Sequence, residues 1–180
     1  DSSAFSNCIF LESVEIEENS ELESIGSNSF FRTPIYDFFV PKHVKIIENS
    51  AFNDCENILS IKFEEDSELE IIDKNAFAGA YLEEIIEIPI HVKIISEFAF
   101  NQCQYFETIH FKENCDMELF DSYSFAFSNI QSIVIPKSLK IIANDAFNYC
   151  TKLHTVTFQK DSQLESIEDG AFAETNIKEI

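Results

Sequence analysis

Five Cys and four His are the side chains in this 180-residue sequence best suited to metal ligation or nucleophilic attack. Their spacing speaks against both. Cys8, Cys55, Cys103 and Cys150 are separated by 47, 48 and 47 residues, and His43 and His91 by 48. Such a fixed interval belongs to a stacked array. Parallel stacked turns lie about 4.8 Å apart, so residues two turns apart are about 10 Å apart, beyond disulfide reach and too far to share a metal ion. The Cys then read as small buried hydrophobes and the two His as solvated turn residues. Cys115 stands where Ser20, Ser67 and Ser162 stand in other turns. His110 and His154 fall on a strand face, also two repeats apart. Nothing supplies a base, a nucleophile and an orienting group within mutual reach. There is no Gly-x-Gly-x-x-Gly, phosphate loop or Cys-x-x-Cys. The run Glu64, Glu65, Asp66, Glu68 could hold calcium loosely but lacks the spacing of a calcium loop, and reads as a solvated turn. No enzyme and no cofactor is expected.

The elements that impose this interval are repeats, each marked by one Phe: Phe5, Phe30, Phe52, Phe77, Phe100, Phe125, Phe147 and Phe172. Subtracting neighbours gives steps of 25, 22, 25, 23, 25, 22 and 25 residues. A fixed period in the twenties predicts a solenoid in which each repeat is stabilised by its neighbours. After each Phe come three core positions, as in Ile35, Phe38, Val40 or Leu153, Val156, Phe158, the last two alternating with polar residues. That period of two predicts a short strand with one buried face. The repeat at Leu82 and Ile85 carries one extra residue before Ile88, which predicts a bulge near Ile86 and Glu87.

Two turn types follow the strand in strict alternation. Short repeats use Pro41, Pro89 and Pro136, whose missing N–H ends a ladder. Long repeats use segments 17–21, 64–68, 112–116 and 159–163, rich in Asp, Asn and Ser. A second core segment then pairs residues three apart, such as Val44 with Ile47 and Leu69 with Ile72. Inside it Glu23, Lys45, Glu70, Lys93, Glu118, Lys140 and Glu165 alternate in sign, a pattern that sets register between neighbours. Beside it run Ile46, Ile71, Ile94, Leu119 and Ile141, either an exposed stripe open to self-association or, as favoured here, partly tucked inward.

Lys and Arg number 12 against 33 Asp and Glu, a net charge of −21 that repels phosphate backbones and anionic lipid. Nucleic acid is therefore not an expected partner, and no apolar run is long enough to insert in a membrane. Asp1 opens inside a Ser-Ala-Phe unit and Ile180 stops at a core position, so residues 1–180 are expected to form a single solenoid cut from a longer array.

The combined pattern, Leu-x-x-Ile-x-Phe or Ile-Pro, a turn, Val-x-x-Ile, then Ala-Phe-x-x-Cys, resembles the BspA-like class of leucine-rich repeat over the whole chain. That resemblance implies a β-rich, right-handed solenoid of alternating 22/23- and 25-residue repeats, with a parallel concave sheet and no long helices. It further implies a cell-surface or secreted protein that binds host matrix or another surface protein without catalysis. An intracellular scaffold is the alternative. The outward strand positions are read as Ser13 and Glu15, Asp37 and Phe39, Ser60 and Lys62, Glu84 with Ile86 or Glu87, Thr108 and His110, Ser132 and Val134, and Thr155 and Thr157. The residues expected to meet a partner are Tyr36, Phe39, Leu59, Lys62, Glu84, His110, Val134 and His154. Tyr36, Phe39 and Leu59 form either an exposed contact cluster or edge packing under a neighbouring loop.

Overall fold

A computed structural model describes residues 1–17, 19–83 and 85–178. Glu84 and Ile180, named above, lie outside that set. The chain coils as a β-solenoid in which two sorts of strand alternate. The longer sort is β2 (Asp37–Val40), β4 (Ser60–Phe63), β6 (Ile86–Ile88), β8 (Ile109–Phe111), β10 (Ser132–Ile135) and β12 (Thr155–Phe158). Between them lie two-residue strands, β1 (Ser24–Ile25), β3 (Ile46–Ile47), β5 (Ile71–Ile72), β7 (Ile94–Ile95), β9 (Leu119–Phe120), β11 (Ile141–Ile142) and β13 (Ser166–Ile167).

The short strands, not the long ones, make the continuous sheet. All seven pair in parallel in chain order, with Ile46 opposite Ile71 and Ile71 opposite Ile94. The longer strands, expected to form the main concave sheet, form three two-stranded ladders, β2–β4, β6–β8 and β10–β12. One bridge, Thr108 to Ser132, joins β8 to β10. Among the described residues β4 and β6 share no ladder, and β8 and β10 share only that bridge.

Ile86 pairs with Ile109, Glu87 with His110 and Ile88 with Phe111, so the register after the insertion is normal. The surplus is expelled ahead of the strand, and this corrects the sequence reading. Ile85, taken for core, is 55% exposed, whereas Ile86 is 2% exposed. Expelling it early keeps Ile86 and Ile88 buried, and a later bulge would have turned one of them outward.

A third ladder runs through the Phe turns. The amides of Phe30, Phe52, Phe77 and Phe147 each donate to a carbonyl of the following repeat at 2.8 Å. Amides flanking the short strands donate the other way, to the preceding repeat, as in Lys45 N to Glu23 O at 2.9 Å. Two residues per turn adopt positive φ, at two positions before and two after each Phe, for example Ser50 and Asp54 around Phe52. This conformation turns three alternate amides toward one neighbour, and Asn, Asp and Gly tolerate it best.

The eight Phe rings consequently stack as one spine. Successive centroids lie 5.3, 5.3, 5.2, 5.2, 5.6, 5.0 and 5.1 Å apart from Phe5 to Phe172. Phe38 and Phe120 meet the spine edge-on, Phe120 lying 5.3 Å from Phe125. Met117 and Phe120, which replace the usual aliphatics, are both fully buried. Leu11, Val14 and Ile16 of the first repeat pack half-buried against the core but form no strand.

One position before the spine Phe, Ala51, Ala76, Ala99, Ala146 and Ala171 are buried, while Ser29 and Ser124 bury hydroxyls that find no partner. Two stability predictions follow from this core. Phe100→Ala should lose about 3–5 kcal/mol in urea unfolding, and Phe5→Ala, whose ring is open on one side, clearly less. Equal losses would disprove the role of the stack. Ser124→Ala should gain about 1 kcal/mol by removing an unpaired buried hydroxyl, read as a raised urea midpoint.

Candidate protein-binding surface

Strand periodicity places one row of side chains on the open face of the long strands. Phe39, Lys62, Glu87, His110, Val134 and Thr157 are all exposed, and register sets Phe39 beside Lys62, Glu87 beside His110, and Val134 beside Thr157. The row two residues earlier is less open than the sequence suggested. Ser60 is buried, its hydroxyl donating to Asp37 Oδ1 at 2.6 Å. Thr108, Ser132 and Thr155 are half-buried. Ile86, the other expected outward residue, lies in the core for the reason given above.

A second exposed row forms just ahead of the strands, through backbone bonds between successive repeats. Leu59 N donates to Tyr36 O at 2.7 Å, Glu83 N to Leu59 O at 2.9 Å, and His154 N to Gln131 O at 3.0 Å. Tyr36, Leu59 and His154 therefore share one row, while Phe39, Lys62, His110 and Val134 share the other. Tyr36, Phe39 and Leu59 come together around β2 and β4, exposed by 42%, 53% and 39%. His110 and His154 occupy different rows. Beside β4 and β6 a groove of ≈ 760 Å³ opens, lined by Phe39, Ile61, Phe63, Ile85 and Ile90, with Lys62, Lys112, Glu64, Glu65, Asp66 and Glu87 around it.

On the seven-stranded sheet the stripe Ile46, Ile71, Ile94, Leu119 and Ile141 is half-buried throughout. The alternating charges beside it pair between repeats, Lys93 to Glu70 at 2.7 Å and Lys140 to Glu118 at 3.1 Å. The bond from Lys93 holds the Glu70 carboxyl below its ordinary value. His43 and His91 likewise contact acids of the next long turn, Glu68 at 3.0 Å and Asp116 at 2.9 Å. These contacts fix neighbouring turns, and among the described residues no group of three or more His, Cys, Asp or Glu could hold a metal ion. No helix among them is long and apolar enough to cross a membrane.

Sequence reasoning missed a set of aromatic pairs on the Phe turns. Phe98 stacks on Tyr123 at 5.0 Å, Phe127 on Tyr149 at 5.2 Å, and Tyr81 tilts against Tyr105 at 4.4 Å. The first four have positive φ, a conformation that bulky side chains resist. The signal was present, because other repeats carry Asn, Ser, Asp, Arg, Gln, Glu or Gly at those places.

The cysteines also have a role that spacing alone did not reveal. Cys55, Cys103 and Cys150 donate to the carbonyls of Phe30, Phe77 and Phe125 at 3.0, 3.0 and 3.1 Å. Thr33 does the same to Phe5 O at 2.7 Å. Each ties a turn to the spine residue of the repeat before it. Burial pushes Cys55 up to about 12 and Cys150 to about 11, and raises Cys103 as well. All five Cys are free thiols.

The family model for BspA type leucine rich repeat regions, present as six copies, matches residues 1–86 and 70–180. The chain belongs to that family. Among solved structures it is similar to the pneumococcal vaccine antigen PcpA, at 25% identity and a TM-score of 0.72, covering 78% of this chain and 37% of that one. A leucine-rich repeat protein from Bacteroides ovatus superposes with a TM-score of 0.77 at 24% identity, over 92% of this chain and 41% of the other. A leucine rich cell surface protein from Faecalibacterium prausnitzii gives a TM-score of 0.53 at 20% identity, over 83% and 46%. The chain thus spans less than half the length of each. No curated protein matches it.

In a BspA-type array built this way the buried thiols should be inert. Native protein treated with iodoacetamide near pH 8 should be labelled at half-buried Cys8 well before Cys55, Cys103 or Cys150, because the thiolate is the reactive form. Peptide mapping by mass spectrometry reads the order, and a native disulfide between any two of these four would overturn the stacking.

Proposed function

We propose that the protein is a non-enzymatic binding module, displayed at a cell surface, that holds another protein through the face carrying Tyr36, Phe39 and Leu59. The observation that carries this reading is that those three side chains are open to solvent on or just ahead of β2 and β4, whose backbones are locked in a ladder. Exposed aromatic and aliphatic clusters on a rigid frame are what protein interfaces use as anchors. Lys62, His110, Val134 and His154 extend the contact along the two rows, with Glu84 added from the sequence. The surface location draws support from similar proteins, one described as a vaccine antigen and another as a cell surface protein. With a charge of −21 the array repels nucleic acid and anionic lipid, which leaves a matrix protein or a second surface protein as the fitting partner.

The test replaces Tyr36, Phe39 and Leu59 together with Ser and measures capture of purified extracellular-matrix proteins by the immobilised chain. Capture should fall while circular dichroism and Tm stay near those of the parent, since exposed substitutions usually change stability by no more than about 0.5 kcal/mol each. Unchanged capture would favour the half-buried Ile46 stripe and self-association instead. A collapsed Tm would return the three residues to the core.

A further inference from the structure

The groove beside β4 and β6 lies at the repeat that carries one inserted residue, and the expelled Ile85 forms part of its wall. Its wall is apolar and open: Phe39 is 53% exposed and the expelled Ile85 is 55% exposed. Its rim is acidic. Glu65, Asp66 and Glu87 are exposed, and no salt bridge neutralises them among the described residues. Glu64, by contrast, is engaged, accepting the Lys42 amide at 2.8 Å. Lys62 and Lys112 also line it, against the four carboxylates of Glu64, Glu65, Asp66 and Glu87, so the balance of charge around the groove remains negative.

We propose that this groove receives an extended, cationic segment of a partner protein, seating an apolar side chain between Phe39 and Ile85 while Lys or Arg side chains meet Glu65, Asp66 and Glu87. This rests on the reading of the face as protein-binding and names the chemistry of what it takes. Charge complementarity selects the occupant, since low-dielectric walls concentrate the field of a chain that already carries −21. An extended segment fits because its side chains alternate, one set facing the apolar wall and the other the charged rim. The volume, ≈ 760 Å³, lies within the about 300–1,000 Å³ common for binding pockets.

The decisive variant is deletion of Ile85, which returns the 23-residue step from Phe77 to Phe100 to the 22 residues of the other short repeats. Removing the expelled residue should take away that wall, close the groove and leave Tm unchanged or raised. Fluorescence anisotropy would follow a labelled peptide of four Lys-Val pairs, beside one of four Lys-Ser pairs and one of four Glu-Val pairs. The Lys-Val peptide should bind the parent chain, and binding should weaken about tenfold or more on deleting Ile85, in Phe39→Ser and in the double variant Glu65→Lys/Glu87→Lys. The two substitutions serve if the deletion does not fold. Raising salt from about 0.05 M to about 0.5 M should also weaken it.

Equal binding of the Lys-Ser peptide would mean charge alone is at work and would overturn the proposal, as would equal binding of the Glu-Val peptide or affinities unchanged in every variant. Measuring matrix-protein capture on the same variants separates the two readings. Capture by the parent that survives closure of the groove, with no groove-dependent peptide binding, removes this inference and keeps the binding module. Groove-dependent peptide binding without capture of any matrix protein does the reverse.

Discussion

The fold depends on one constraint: every repeat must bring its peptide groups within hydrogen-bonding distance of the repeat before and the repeat after. Peptide ladders hold turns about 4.8 Å apart, a spacing that puts Phe rings in stacking range, and the spine settles at 5.0–5.6 Å. Stacked rings cannot nucleate such an array alone, because a single repeat has neither the second wall of its core nor partners for its amides. In the Phe turns alternate amides all donate to the following repeat, as Ser50, Phe52 and Asp54 do. The paired positive-φ residues around each Phe aim those amides. They are as much a part of the repeat as the Phe itself.

Secondary constraints follow from the same spacing. A side chain one repeat away is a nearest neighbour, so a thiol or hydroxyl three residues after one Phe can reach the carbonyl of the Phe before it, as Cys103 and Thr33 do. A charge is likewise always close to the charge at the same place in the next repeat. Uniform sign would accumulate repulsion along the whole array, and alternation removes it, as Lys93 with Glu70 and Lys140 with Glu118 show. Aromatic residues tolerate positive φ at Phe98, Tyr123, Phe127 and Tyr149 under the same logic, since each finds a ring at stacking distance in the adjoining repeat.

Period and polarity made most of this legible. The Phe marks, the two alternating turn types and the buried strand face all follow from spacing, because a solenoid writes its geometry into the chain once per turn. The continuity of each sheet was harder to read. Short runs such as Ile46–Ile47 give a weaker period-two signal than Ser132–Ile135, yet they pair without interruption. The site of the insertion was visible as a count, but which residue is expelled depends on packing, and Ile85 and Ile86 are the same residue type. Ser60 was misplaced for a related reason: its polarity reads outward, whereas a bond to Asp37 lets it sit inside. Positive φ at aromatic residues runs against local preference and could be seen only by comparing repeats with one another.

A regular array poses a problem for any partner that must bind in one place. Identical rows offer the same contacts after a shift of one double repeat, so a ligand held only by the common pattern would slide between registers of nearly equal energy. Specific docking needs a feature that occurs once. Most of what distinguishes one repeat from another here is a change of side chain on an unchanged backbone. The expelled residue at Ile85 differs in kind, because it is an extra residue in the backbone, exposed, and it lines the groove together with Phe39 and Glu87. That departure from regularity is therefore what gives one position on the array a distinct address.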